Sequence, residues 1–106
     1  GEIVAAVDEG GFVLREATIE AYLRDRVKAQ GGIAYKWVSP GNVGVPDRLI
    51  VFPGGTVYFR ELKAPGKKPT PLQVRQMEKL KALGFDVGVI DSKQGVDEFM
   101  REVMQV

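Results

Sequence analysis

The tripeptide Pro53-Gly54-Gly55 separates two β-rich runs, Asp47 to Phe52 and Thr56 to Leu62, and constrains this chain more than any other feature. Two strands joined by so short a turn form an antiparallel hairpin. Proline suits the first central position of a type I turn and a glycine then takes the left-handed position, so a three-residue loop pairs Phe52 with Thr56. Counting back from that pair, Leu49 faces Phe59 and Asp47 faces Glu61. Directly opposed residues hold their Cβ atoms roughly 4.5–5.5 Å apart, and like charges so placed repel unless a cation lies between them. In this register the hairpin asks for a metal; a two-residue turn would instead put Asp47 on the opposite face.

The flanking sequence supplies the other elements. From Arg15 to Gln30 the apolar Ile19, Tyr22, Leu23 and Val27 recur at helical spacing, Glu16 sits near the positive N-terminal end, and Gly31-Gly32 provide the stop. Ile33 to Val38 alternates as a strand does, and the Pro- and Gly-rich run from Ser39 to Pro46 is a loop that delivers Asp47. After the hairpin come a basic, Pro-rich loop from Ala64 and a helix from Pro71 to Leu83, with Pro at its start and Gly84 at its end. A strand from Phe85 to Ile90 and a closing helix from Val96 to Met104 complete an α/β order. Residues 1–14 hold two short apolar pieces around Asp8-Glu9-Gly10-Gly11 and read as an N-terminal arm or hairpin. A chain of 106 residues, 44% of them hydrophobic, then leaves one domain over residues 15–106.

Composition restricts the chemistry. There is no Cys and no His, which removes thiol nucleophiles, Cys/His zinc sites, Ser-His-Asp triads and every nuclease type that uses a histidine base. Any reaction rests on carboxylates and lysine. The net charge of +1 means that nucleic-acid binding, if present, comes from local clusters of Lys and Arg. No apolar run approaches the roughly 20 residues that span a bilayer, and Glu2, Asp8 and Glu9 interrupt the segment where a signal peptide would need an apolar core, so the expectation is a soluble, cytoplasmic protein without membrane contact.

Asp47 at the start of one central strand and Glu61-Leu62-Lys63 at the end of the next gather three charged side chains at one sheet edge. Magnesium takes oxygen ligands, commonly one or two carboxylates with water and substrate phosphate, so Asp47 and Glu61 suit one ion, with the Leu62 carbonyl as a further ligand. Lys63, two residues beyond Glu61 and so on the same strand face, would orient a water or offset developing charge in phosphodiester cleavage. Singly, each of these residues would pass as part of a solvated ion pair. Leu49, Val51, Val57 and Phe59 share their face, however, so the trio adjoins a core-forming surface.

Gly44-Val45-Pro46-Asp47, Glu61-Leu62-Lys63 and Pro71-Leu72-Gln73 at the start of a helix together resemble stand-alone VRR-NUC domains of the PD-(D/E)xK nuclease superfamily, often phage-encoded, over about Arg15 to Asp91. The resemblance implies a restriction-endonuclease-like α-β-β-β-α-β core, with a mixed central sheet flanked by helices. It implies a Mg2+- or Mn2+-dependent endonuclease that hydrolyses DNA, selective for branched structures such as Holliday junctions and acting as a homodimer in the cell, in the host cytoplasm if phage-encoded. It assigns a catalytic set of Glu16, Asp47, Glu61, Lys63 and Gln73. Within that set Glu16, matched through Ile19 and Leu23, reaches the metal directly or through water, and Glu20 is the fallback; either glutamate could instead support its helix by pairing with Arg24 or another partner. The name-giving Val-Arg-Arg stands here as Val74-Arg75-Gln76, so Arg75 alone carries over.

Lys67, Lys68 and Arg75 suit phosphate contacts beside such a site, with Lys79, Lys36, Arg48 and Arg60 on neighbouring elements. The Ser39–Val45 loop, through Ser39 and Gly41, is open enough to approach a nucleic-acid backbone. Nothing resembles a base-reading helix or a ladder of stacking aromatics, which favours structure over sequence as the basis of selection. The alternatives are a non-catalytic DNA-binding or scaffolding module of the same fold, or a nickase or flap-type nuclease.

Overall fold

The computed structural model describes residues 11–105. In chain order these form α1 (Gly11–Ala29), β1 (Ile33–Lys36), β2 (Arg48–Phe52), β3 (Thr56–Leu62), α2 (Pro71–Ala82), β4 (Asp86–Ile90) and α3 (Lys93–Met104). The four strands lie in the order β1-β2-β3-β4, with β1, β2 and β3 antiparallel and β4 parallel to β3. A parallel neighbour needs a crossover, and α2 supplies it. The sheet is mixed, as expected.

The hairpin register is the one read from the loop length: Phe52 pairs with Thr56 and Leu49 with Phe59. The turn itself differs. Gly54 has φ +93°, and Phe52 O accepts from the Gly55 N–H at 3.1 Å, which makes the turn type II where a type I turn was expected. Only glycine takes that φ without strain.

Two helix starts also differ from expectation. α1 begins at Gly11, so the last part of the arm or hairpin expected over residues 1–14 is helical, and the rest of that segment lies outside the described residues. α3 begins at Lys93 because Ser92 caps it, its Oγ accepting from the Gly95 N–H at 2.9 Å ahead of the first apolar residue. The end of α1 is as expected: Gly31 and Gly32 return their N–H groups to Lys28 O and Val27 O, at 2.9 and 3.0 Å, and close the last turn.

Two cores form on opposite faces of the sheet. Ile19, Leu23 and Val27 of α1, spaced by four, pack with Val96, Phe99 and Met100 of α3 over Ile50, Phe52, Leu62 and Ile90. On the other face Met77 of α2 covers Phe59 and Val87, with Trp37, Leu49, Val57 and Leu80 at the margin. Alternation along the strands therefore sends odd-numbered residues of β2 and β3 towards α2 and even-numbered ones towards α1 and α3. Trp37 joins this second core, its ring 5.1 Å from that of Phe59. No helix among the described residues is long and apolar enough to cross a membrane.

That alternation corrects the role expected of two arginines. Arg48 and Arg60, grouped with the phosphate contacts, are 4% and 8% exposed. Arg60 pairs with Asp86 at 2.7 Å, donates to Phe59 O at 2.8 Å and lies 4.5 Å over the Phe99 ring, tying β3 to β4. Arg48 pairs with Glu20 of α1 and donates to Ala34 O at 3.2 Å, while its Nε is buried without a partner. Glu20, the fallback for the metal site, is thus committed to Arg48, which clamps α1 to the sheet. Glu20→Ala is expected to destabilise the fold by about 3 kcal/mol in urea denaturation, because it strands a buried cation. A loss under about 0.5 kcal/mol would show that the pair does not hold α1.

Candidate active site

The end of the hairpin brings two carboxylates face to face. Asp47 stands just before β2, its carbonyl accepting from the Trp37 N–H at 2.8 Å so that the β1–β2 ladder continues one step past the strand. Across from it, Glu61 is 5% exposed. The Asp47 N–H donates to Glu61 Oε1 at 3.3 Å, and the Leu62 N–H donates to Asp47 Oδ1 at 2.9 Å. Each carboxylate is therefore held by the backbone of the opposing strand, an arrangement fixed by the loop length fourteen residues apart in sequence.

Lys63 and Gln73 close in on the same Glu61 oxygen. Lys63 Nζ lies 3.5 Å from Glu61 Oε2, with its side chain 17% exposed. Gln73, in the first turn of α2, donates from Nε2 to Glu61 Oε2 at 3.0 Å. Gln73 is also half of a capping box with Thr70: its backbone N–H donates to Thr70 Oγ1 at 3.2 Å and its Oε1 accepts from the Thr70 N–H at 2.9 Å.

Electrostatics set the two acids against each other. Burial pushes the Glu61 carboxyl from an ordinary 4.5 up to about 7, the Asp47 charge adds to this, and Lys63 pulls the other way. Burial also raises Asp47, opposed by the Leu62 N–H and by the Arg48 charge and reinforced by the charge of Glu16.

Four of the five residues expected to act together, Asp47, Glu61, Lys63 and Gln73, form one connected cluster on the α2 side of the sheet end. Glu16 is close enough for its charge to act on Asp47 but does not complete a three-acid cage; among the described residues no group of three or more His, Cys, Asp or Glu is placed to hold a metal. Lys67, Lys68 and Arg75 are exposed, as is Gly41, while the hydroxyl of half-buried Ser39 accepts from Asn42 Nδ2 at 2.9 Å. The loop carrying Ser39 and Gly41 folds against the start of α2: a Cβ at Gly44 would lie 3.1 Å from the Leu72 backbone, so this position needs glycine for close approach as well as for its φ of +95°. Thr70 was not singled out from the sequence, although Thr-x-x-Gln ahead of a helix is the signal that reveals it.

No family model matches the chain. Over 81 residues it is 54% identical to "Putative nuclease p44" of Acyrthosiphon pisum secondary endosymbiont phage 1, a match that covers 76% of this chain and 87% of that protein. Among solved structures, a chain described as "VRR_NUC domain" superposes with a TM-score of 0.78 at 33% identity, over 82% of this chain and 95% of the other. A shared fold at this level of identity and coverage, with the paired acids, lysine and glutamine gathered at one sheet end, places the chain in the VRR-NUC nuclease-domain family.

Proposed function

We propose that the chain is a divalent-metal-dependent endonuclease that hydrolyses DNA phosphodiester bonds, selects branched DNA such as Holliday junctions, and acts as a homodimer in the cytoplasm. The observation that carries the reading is the opposition of Asp47 and Glu61, two carboxylates held together by backbone N–H groups at mutual electrostatic cost. A fold keeps such a conflict where a function needs it.

The donor set fits a hard divalent cation. Asp47 and Glu61 offer oxygens only, and a cation between them would offset the burial that raises both acids and the Asp47 charge that adds to it at Glu61. With two carboxylates, the Leu62 carbonyl, water and substrate oxygens would fill the other positions, and Glu16 would reach the ion through water. Mg2+ or Mn2+ so bound supplies Lewis acidity and a water of lowered pKa.

The remaining work belongs to the protein. Lys63 is anchored by Glu61 Oε2 but partly exposed, placing an ammonium where it can hold the attacking water or offset charge growing on the phosphate. Gln73 spends one of its two amide protons on Glu61 and has the second for a water or phosphate oxygen. Exposed Lys67, Lys68 and Arg75, with the Ser39–Gly41 stretch, supply contacts to the DNA backbone, which favours recognition of shape over sequence. The half-exposed Ile33 and Tyr35 on edge strand β1 support a homodimer, since a second copy would cover them.

The test is cleavage of labelled four-way junction, flap, nicked and linear duplex DNA in Mg2+, Mn2+ or chelator, beside Lys63→Ala. Metal-dependent cutting is expected, fastest on the junction and slower by at least about 100-fold in the variant. Binding without cutting in any metal would sink the catalytic reading, and preference for flap or linear DNA would sink the junction reading. In the same assay without metal, Lys67→Ala/Lys68→Ala is expected to weaken binding of all DNAs and flatten the salt dependence by roughly one to two counterions. An unchanged salt slope would remove the two lysines from the DNA interface.

A further inference from the structure

We propose that Thr70 is a positioning residue, and that its backbone N–H, not its side chain, aims the Gln73 amide at Glu61. The kinetic side of this inference rests on the nuclease reading; the structural side does not.

The argument starts from the polarity of the groups involved. A primary amide has an oxygen that accepts and a nitrogen that donates, and it can rotate by half a turn at little cost when its neighbours do not choose between the two ends. Here both ends are chosen. A backbone N–H can only donate, so the Gln73 atom 2.9 Å from Thr70 N is the oxygen. The nitrogen is then left facing Glu61 Oε2, at 3.0 Å. Were the amide to flip, its NH2 would face the Thr70 N–H and, with Glu61 ionised, its oxygen would face a carboxylate, losing both bonds and adding two repulsions. The capping box that starts α2 therefore also sets which atom the helix presents to the acid pair.

The two halves of the box have different duties. Thr70 Oγ1 accepts from the Gln73 backbone N–H, which secures the helix end but does not touch the amide. The Thr70 N–H donates to the amide oxygen itself. Substitutions can separate them. Thr70 has φ −70° and ψ 161° and is exposed, a backbone that proline adopts without rearrangement. Thr70→Pro removes both the hydroxyl and the N–H. Thr70→Ala removes the hydroxyl alone, and Thr70→Ser keeps both.

Thr70→Ala and Thr70→Pro are both expected to lower the melting temperature, since both lose the hydroxyl that caps α2. They are expected to differ in kinetics at saturating metal and DNA: Thr70→Ala and Thr70→Ser stay within about threefold of the parent kcat, whereas Thr70→Pro falls about tenfold or more with KM little changed, the scale of one misplaced hydrogen bond. The side-chain amide protons of Gln73 report the same event without any reaction. In 15N-resolved NMR spectra of the metal-free protein they are expected as a slowly exchanging pair in the parent and in Thr70→Ala, and as a fast-exchanging, shifted pair in Thr70→Pro. A Thr70→Pro variant with parental amide signals would overturn the inference, as would a Thr70→Ala variant that matches Thr70→Pro in both kinetics and spectra. If the parent cuts no DNA, the nuclease reading fails while the spectra still decide whether Thr70 aims Gln73.

Discussion

Asp47→Asn is expected to leave a protein that no longer cuts DNA yet melts higher than the parent at pH 8 in chelator. Asparagine keeps the oxygen that accepts from the Leu62 N–H, so the tie between β2 and β3 survives. What disappears is the charge that helps push Glu61 up to about 7 and that is itself unfavourable at a half-buried position. Relieving that repulsion should add about 1 kcal/mol, or roughly 4–8 °C in melting temperature for a domain of this size. The same charge is needed to hold the metal, so cutting should fall by about 1,000-fold or more. Lys63→Ala provides the contrast: it removes the cation that stabilises ionised Glu61, so it should lower both the melting temperature in chelator and the activity. Two substitutions with opposite effects on stability and the same effect on activity cannot both act through unfolding. Scanning calorimetry in chelator, beside the cleavage assay, measures the pair; an Asp47→Asn protein that melts lower than the parent, or that still cuts within tenfold of it, would show that the two acids are not held in conflict for the reaction.

How far the fold could be read in advance depended on whether local sequence or tertiary distance decides a feature. The opposition of Asp47 and Glu61 was legible because loop length sets hairpin register; the turn proved to be type II, yet a three-residue connection pairs the same residues in either case. The start of α1 was not legible, because Gly10-Gly11 looks like a turn and a helix held by packing through Ile19, Leu23 and Val27 does not need a strong start signal. The burial of Arg48 and Arg60 could have been inferred from the alternation that placed Asp47 and Glu61, since even-numbered residues of both strands must face the other way.

The site shows the same division. Spacing along the hairpin put Glu61 and Lys63 on one face, and Pro71-Leu72-Gln73 marked the start of a helix. That Gln73 would reach Glu61, at 3.0 Å, depends on how α2 packs over Phe59 and Val87, which no local pattern contains. Glu20 illustrates the converse. Four residues from Glu16, it shares roughly the same helix face, but it goes to Arg48, a buried cation that would otherwise be uncompensated. Helical spacing proposes candidates, and the desolvation of charge decides among them.

Without metal, the protein is expected to lose stability as pH rises from about 4.5 to about 7, the reverse of an ordinary salt-bridged carboxylate. Glu61 holds its proton up to about 7 in the folded state but only to 4.5 when exposed, so between these values the folded chain binds more protons and stability falls with each added unit of pH. The full displacement corresponds to about 3 kcal/mol, present below pH 4.5 and gone above about 7. Asp47, also raised, acts in the same direction from a lower starting point. A divalent cation binds the ionised acids, so it should oppose this loss and grow more stabilising as pH rises: at 100 times its dissociation constant it contributes about 2.7 kcal/mol. Melting curves across pH 4.5–8.5, with Mg2+ or with chelator, should therefore nearly coincide at the acid end and separate by about 10 °C or more at the alkaline end. Asp47→Asn should flatten the chelator curve and close the gap. Parallel curves would mean that Mg2+ does not bind where the two carboxylates meet, and a chelator curve that rises through this window would mean that Glu61 is ionised in the fold at ordinary pH and that the site is not primed by burial and the Asp47 charge.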